Sequence, residues 1–325
     1  MNKNELKIVF MGNPDFAVES LRKIHESGYN IAGVVTMPDR VGGRGNKRIE
    51  SAVKQYAMAA GLPNIMQPEK LRDPEFIDRL RSIDADLFIV IAFRMLPEVV
   101  WTMPRLGTFN LHASLLPKYR GAAPLNWAVI NGDKETGVTT FFLRHEIDTG
   151  DIIDRESIEI GPDENVGSVH DRLMHIGARL TVKTIDSIID GSLTTIPQQS
   201  LLGDNTRPTP APKIFKETCK IDWTADAEKI HNLVRGLSPY PGAWSTLHAE
   251  DGNEADIKIY TTLRTDRSAP ANSVSGTVII DCGHMYVVCG CNSMIEITEL
   301  QAPGKKRMHA DEYLRGIRWN NAKFI

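Results

Sequence analysis

Asp86-Leu-Phe-Ile-Val-Ile-Ala92 is apolar at six consecutive positions, with no alternation. A strand with one wet face alternates apolar and polar residues, whereas a strand covered on both faces does not. The stretch therefore reads as a central strand of a sheet with helices on either side. Working outward, short apolar runs alternate with helical patterns. Residues 6–11, 31–36, 108–112 and 138–143 read as further strands. Phe16, Val18, Leu21 and Ile24 follow helical spacing, and residues 51–60 form a second helical segment. Pro124 opens a short helix that ends before Gly132, the Pro-first, Gly-last asymmetry. A long helix starts near Asn165, a fitting N-cap, with Val169, Leu173, Ile176 and Leu180 as its buried stripe. This alternation specifies an open, largely parallel α/β sheet. Ligands of such sheets bind beyond the carboxyl ends of the strands.

Residues 192–212 change character. Ser, Thr, Gln and Pro dominate, and the stretch ends in Arg207-Pro-Thr-Pro-Ala-Pro212, a stiff extended connector. The expected domains are residues 1–207 and 208–325. In the second, a helix over 228–237 precedes short β-like runs at 244–247, 256–260, 276–281, 285–289 and 294–300, the pattern of a small barrel.

A chain of 325 residues suggests about two domains. The net charge of −3 gives no global pull toward nucleic acid, so any such binding must come from local patches. Cys219, Cys282, Cys289 and Cys291 show neither a disulfide framework nor zinc spacing, and read as buried free thiols. No apolar run approaches the ~20 residues of a membrane helix. The N-terminus runs directly into a strand, without a signal or transit segment, so a cytoplasmic location is expected. Met11-Gly-Asn-Pro-Asp15 lacks the Gly-x-Gly-x-x-Gly of a dinucleotide site, and no P-loop spacing is present. Neither a nucleotide cofactor nor a metal is expected, and a dehydrogenase is disfavoured.

The chemistry concentrates in Asn110-Leu-His-Ala-Ser-Leu-Leu-Pro-Lys-Tyr-Arg-Gly-Ala-Ala-Pro124. Residues two apart on a strand share a face, so Asn110 and His112 aim at one point before a Pro/Gly-rich loop. Asp148, in Ile147-Asp-Thr-Gly-Asp151, offers a carboxylate at another strand-to-turn boundary. Asn, His and Asp at strand ends suit acyl-type transfer without a covalent enzyme intermediate. A fixed amide donor stabilises a developing oxyanion, the imidazole donates or relays a proton, and the acid orients the ring or takes the amine's proton. The same residues also fit a hydrogen-bonded loop histidine and a turn-forming Asp-Thr-Gly. Ser114 has no nucleophile-elbow context. Ser114, Leu115, Leu116 and Pro117 can form an apolar slot of the kind that reads flat heterocycles.

Two basic segments stand out. Residues 39–48 set Arg40, Arg44, Lys47 and Arg48 against Asp39, a net +3, and three glycines make a flexible loop. The C-terminal stretch sets Lys305, Lys306, Arg307, Arg315, Arg318 and Lys323 against Asp311 and Glu312, with Tyr313 and Trp319 interleaved. Both fit a bound nucleic acid, and both fit ordinary solvated surface.

Together these residues resemble the methionyl-tRNA formyltransferase family over nearly the whole chain. The motifs are Met11-Gly-Asn-Pro-Asp-Phe16, the Thr36-Met-Pro-Asp-Arg40 loop with Gly43-Arg-Gly45, the Asn110–Gly121 stretch and Ile147-Asp-Thr-Gly-Asp-Ile152. In the second half they are Ile221-Asp-Trp223, Arg235 with Pro239-Tyr-Pro241 and Trp244, and Leu300-Gln-Ala-Pro-Gly-Lys-Lys306. The resemblance implies a Rossmann-like formyltransferase domain followed by a smaller OB-like β-barrel domain. It implies 10-formyltetrahydrofolate as co-substrate and the α-amine of methionyl initiator tRNA as acceptor. Asn110, His112 and Asp148 match the family's catalytic positions and Ser114–Pro117 its folate segment. Arg44, in the loop with Arg40, Lys47 and Arg48, lies where the family enters the tRNA acceptor stem, and Lys305 and Lys306 join them as expected tRNA contacts. A monomer is expected. Ala92-Phe-Arg-Met-Leu-Pro97 departs from the usual pattern, lacking a Gly and one residue. The competing readings are a formyltransferase acting on a small amine, such as an amino-sugar nucleotide or glycinamide ribonucleotide, and a non-catalytic tRNA-binding protein. The Gly-Arg-Gly loop argues against the first, and intact Asn110, His112 and Asp148 against the second.

Overall fold

The computed structural model describes residues 2–42, 47–202, 208–250, 252–317 and 321–325, with the backbone alone at residue 47. The chain divides into two units. The first comprises Met1–Pro124, Gly137–Ile158 and His170–Pro210, and the second Leu125–Thr136, Glu159–Val169 and Ala211–Ile325. The last passage between them falls in the Pro-rich connector. Two earlier segments, expected in the first domain, pack with the second unit. Gly236 makes this possible, because a Cβ there would lie 2.5 Å from the Ile130 side chain. Asn126 Nδ2 also donates to the Gly236 carbonyl at 2.9 Å.

The first unit is built on seven strands: β1 (Lys7–Gly12), β2 (Asn30–Val35), β3 (Ile65–Met66), β4 (Leu87–Ile91), β5 (Thr108–His112), β6 (Glu135–Phe142) and β7 (Ile152–Glu159). They lie in the order β7-β6-β5-β4-β1-β2-β3. β1 to β5 pair in parallel, and β6 runs antiparallel to β5. Every residue of β4 is buried, as its unbroken apolar run requires. On one face, Phe76 and Leu80 of α1 (Pro74–Ser82) cover Val9, Met11, Phe88 and Val90. On the other face lies α2 (Val166–Asp190). Its buried stripe runs through Val169, Leu173, Gly177 and Leu180, so the expected Ile176 gives way to Gly177. That glycine faces Leu111 of β5, whose branched side chain needs the space. The basic segment expected to be a flexible loop has a hairpin stem, with Arg40–Gly42 antiparallel to Lys47–Ile49.

The second unit curls β8 (Ala243–Ala249), β9 (Glu254–Ser268), β10 (Val278–Asp281), β11 (His284–Val288), β12 (Ser293–Gln301), β13 (Met308–His309) and β14 (Ala322–Phe324) into an antiparallel sheet. The order is β10-β11-β12-β9-β8-β14, with β13 beside β12. An antiparallel bridge from Thr277 to Lys323 brings the ends together, giving a nearly closed barrel. β9 far outruns the expected 256–260 because register shifts along it let one strand bend around the barrel. Ile257, Ile259, Met285, Val287, Ile295, Ile297 and Phe324 fill the interior. Ile230, Val234 and Leu237 of α3 (Ala227–Leu237) join this core. Asp226 caps α3 through the Lys229 N–H at 2.8 Å. Of the four thiols, Cys219 and Cys289 are buried as expected, and burial pushes Cys289 up to about 12. Cys282 and Cys291 are exposed, against expectation, because each sits in a turn with positive φ.

Candidate active site

The alternation of β5 sets the site. Leu111 and its register partner Thr140 face α2, where the Thr140 and Thr184 hydroxyls lie 2.8 Å apart. Asn110 and His112 therefore face the opposite side, with their partners Phe141 and Thr139. His112 is only 7% exposed, and its ring meets Phe141 edge-on at 6.4 Å between centroids. Its Nε2 lies 2.8 Å from the Tyr119 carbonyl. A carbonyl only accepts, so Nε2 carries a proton, and Nδ1 is the nitrogen that can hold the ring's lone pair. Nδ1 is 3.8 Å from Asp148 Oδ2, and that oxygen accepts the Gly121 N–H at 2.9 Å.

Backbone strain gathers around this centre. Ala92, Tyr119 and Asp148 hold φ of 46°, 61° and 53°, left-handed conformations that cost about 1–3 kcal/mol each and persist only where the surroundings enforce them. After Asp148, Gly150 lets the turn fold back on β6, since a Cβ there would lie 1.6 Å from the Phe142 carbonyl oxygen. Arg120 is partly desolvated, which lowers its pKa, while Asp148 and Glu146 nearby pull it back up.

Asn110 and Asp148 line one cleft of about 520 Å³, walled by Val90, Phe93, Leu96, Trp101 and Leu143. Met95 and Ile147 stand exposed in the same lining, at 71% and 56%. Arg94 pins the 92–97 segment by donating to the Glu69 carbonyl at 2.7 Å and to the Pro68 carbonyl. Burial lowers its pKa. In the sequence this segment stands out only as a departure from the family pattern. Its apolar side chains, with no regular period, give no sign that they wall the cleft.

Of the expected folate segment, Ser114 and Leu116 are fully buried, Pro117 is buried and Leu115 half-buried, and none of the four lines this cleft. The loop closes on itself. Ser114 Oγ donates to the Lys118 carbonyl at 2.7 Å, and Thr139 Oγ1 donates to the Ser114 carbonyl at 2.6 Å. It leads into Tyr119, whose N–H donates to the Thr209 carbonyl at 2.7 Å and whose own carbonyl meets His112 Nε2.

Among the expected tRNA contacts, Arg40 and Arg48 are exposed on the hairpin. Asp39 anchors that stem, accepting from Arg48 Nε at 2.5 Å, Lys54 Nζ at 2.6 Å and Gln67 Nε2 at 2.7 Å. The Lys54 and Gln67 bonds lead in holding its carboxyl at about 2. Arg44 and the Lys47 side chain lie outside the described residues, as do Arg318 and Trp319. Lys305 and Lys306 are exposed in the turn between β12 and β13. Their neighbours Arg307 and Arg315 are engaged by Glu299 and Asp311.

The formyl transferase family matches residues 6–185, and the formyl transferase C-terminal domain residues 213–318. The methionyl-tRNA formyltransferase of Bacteroides fragilis is 53% identical over 323 residues, spanning 99% of this chain and 98% of its own. That of Parabacteroides distasonis is 54% identical over 319 residues, 98% of each chain. The chain belongs to the methionyl-tRNA formyltransferase family. It is thereby an enzyme of the formyl-transferring class, with a Rossmann-like first domain and an OB-like barrel. Among solved structures, the sugar 3N-formyl transferase WlaRD, determined with dTDP and 5-N-formyl-THF, superposes with a TM-score of 0.65 at 19% identity. The match covers 93% of this chain and 99% of that one, a likeness of fold.

Proposed function

We propose that this chain, as a cytoplasmic monomer, moves the formyl group of 10-formyltetrahydrofolate onto the α-amine of methionyl initiator tRNA. The observation that carries the reading is Asn110 and Asp148 lining one apolar-walled cleft, with His112 buried behind Asp148, in a chain so similar to curated methionyl-tRNA formyltransferases. Phe93, Leu96, Trp101 and Leu143 suit a flat heterocycle. Of the Ser114–Pro117 segment, Leu115 alone is half-buried rather than buried, and it is the member left to meet the folate.

The amine lone pair attacks the formyl carbon, and the carbonyl oxygen becomes an oxyanion that the Asn110 amide stabilises. The new ammonium gives up a proton to Asp148, directly or through water, and His112 Nδ1 shares that proton while Nε2 stays tied to Tyr119. The oxyanion then collapses, the bond to N10 breaks and N10 takes the proton. Tetrahydrofolate and formyl-methionyl-tRNA leave, and no covalent enzyme intermediate forms.

A competition assay tests the reading. With 10-formyltetrahydrofolate as donor, methionyl initiator tRNA is formylated in preference to methionyl elongator tRNA and to small amines, including amino-sugar nucleotides. Preferential formylation of a small amine would reject it. For the nucleic acid, exchanging both Lys305 and Lys306 for Ala lowers the slope of log affinity against log salt by about 1 for each phosphate that the lysines neutralise. An unchanged slope removes these lysines from the tRNA surface.

A further inference from the structure

No sequence pattern singles out Gln198, which lies in the polar stretch before the connector. It is 2% exposed, at the start of a single helical turn, Gln198–Leu201. Its Nε2 donates to the Asp148 carbonyl at 2.9 Å and the Gly150 carbonyl at 2.8 Å. Its Oε1 accepts from Arg120 Nε at 3.0 Å and Nη2 at 2.7 Å. Both donors and both acceptor positions of the amide are used. A buried amide is tolerated only when bonded, and the partners here come from two distant loops, so the amide fixes one loop against the other. The segment carrying Gln198 is itself anchored, with Ile196 and Ile152 exchanging backbone bonds of 2.8 and 2.9 Å.

We infer that Gln198 is a positioning residue for Asp148, an assignment that rests on reading Asp148 as part of the active site. It grips Asp148 from two sides. The amide holds the backbone carbonyl of a residue in left-handed conformation. Through Arg120 it also fixes Gly121, whose N–H holds the carboxylate. Released from this clamp, the turn relaxes toward ordinary backbone angles and Oδ2 leaves its place before Nδ1 of His112. A displacement of about 1 Å in a catalytic group costs on the order of a hundredfold in rate.

The test compares Gln198→Met, Gln198→Glu, Asp148→Asn and the Gln198→Met/Asp148→Asn pair, with initiator methionyl-tRNA and 10-formyltetrahydrofolate. Gln198→Met keeps the shape and removes all four bonds. Gln198→Glu keeps the acceptor for Arg120 but turns lone pairs on two carbonyls. Both are expected to lower kcat ten- to a hundredfold with KM for the formyl donor within twofold, and Gln198→Met adds nothing to Asp148→Asn. If Gln198→Met does not fold, the kcat and KM of Gln198→Glu decide. Near-normal kcat in the Gln198 variants, loss of donor binding in parallel with kcat, or losses that multiply in the pair would overturn the assignment. Near-normal activity of Asp148→Asn would instead sink the active-site reading, and the positioning role with it.

Discussion

His112→Ala lowers single-turnover formyl transfer by a hundredfold or more while leaving tetrahydrofolate binding nearly unchanged. The ring is buried, its Nε2–H is committed to the Tyr119 carbonyl, and only Nδ1 faces Asp148. In the proposed mechanism, removing it takes away the group that shares the amine's proton and leaves the Asp148 carboxylate without its neighbour. General acid–base groups contribute about 10²–10⁴-fold, which sets the scale. Under the proposed function folate binding is spared, because the apolar cleft walls come from Phe93, Leu96, Trp101 and Leu143 instead. Rapid-quench measurement of labelled formyl transfer, beside equilibrium binding of tetrahydrofolate, separates the two. A rate within fivefold of the parent enzyme would remove His112 from the chemistry.

Asn110→Ala is expected to cost about 10²–10³-fold in kcat, roughly 2.7–4 kcal/mol, the range for a single oxyanion donor. Asn110→Asp costs more, because it presents a negative charge to a developing negative oxygen. The contrast matters because both variants keep the strand. β5 is held by its ladders to β4 and β6 and by Leu111 against Gly177, none of which uses the Asn110 side chain. Equal rates for the Ala and Asp variants would mean that no negative charge builds up beside residue 110.

The parts of the fold that are legible in the sequence are those where burial is uniform. The 86–92 run reads as a central strand because β4 is enclosed on both faces, and Asn110-Leu-His112 reads as a two-residue display because alternation is a local property. Ile152–Glu159 is not legible because this strand beside β6 carries Asp154, Arg155, Glu156 and Glu159, and its burial is intermittent. Pro74–Ser82 carries a readable start, Asp73 as N-cap and Pro74 in the first turn, to which the apolar spacing draws no attention. At the site, the candidate residues Asn110, His112 and Asp148 are visible as chemistry, but the cleft is not. Its walls come from residues 71–72, 90–101 and 143–147, brought together only by the order of the sheet. Gln198 is the extreme case, since a buried amide bonded to two remote loops leaves no periodic trace.

The most direct measurement is the affinity of the parent enzyme, Asn110→Ala and His112→Ala for a folate analogue whose N10 substituent is a stable tetrahedral hydrate. If these two side chains surround the carbon while it is tetrahedral, the analogue binds the parent at least a hundredfold more tightly than tetrahydrofolate does. Each variant then loses most of that advantage while binding tetrahydrofolate as before. Equal affinity of all three enzymes for the hydrate would contradict the account.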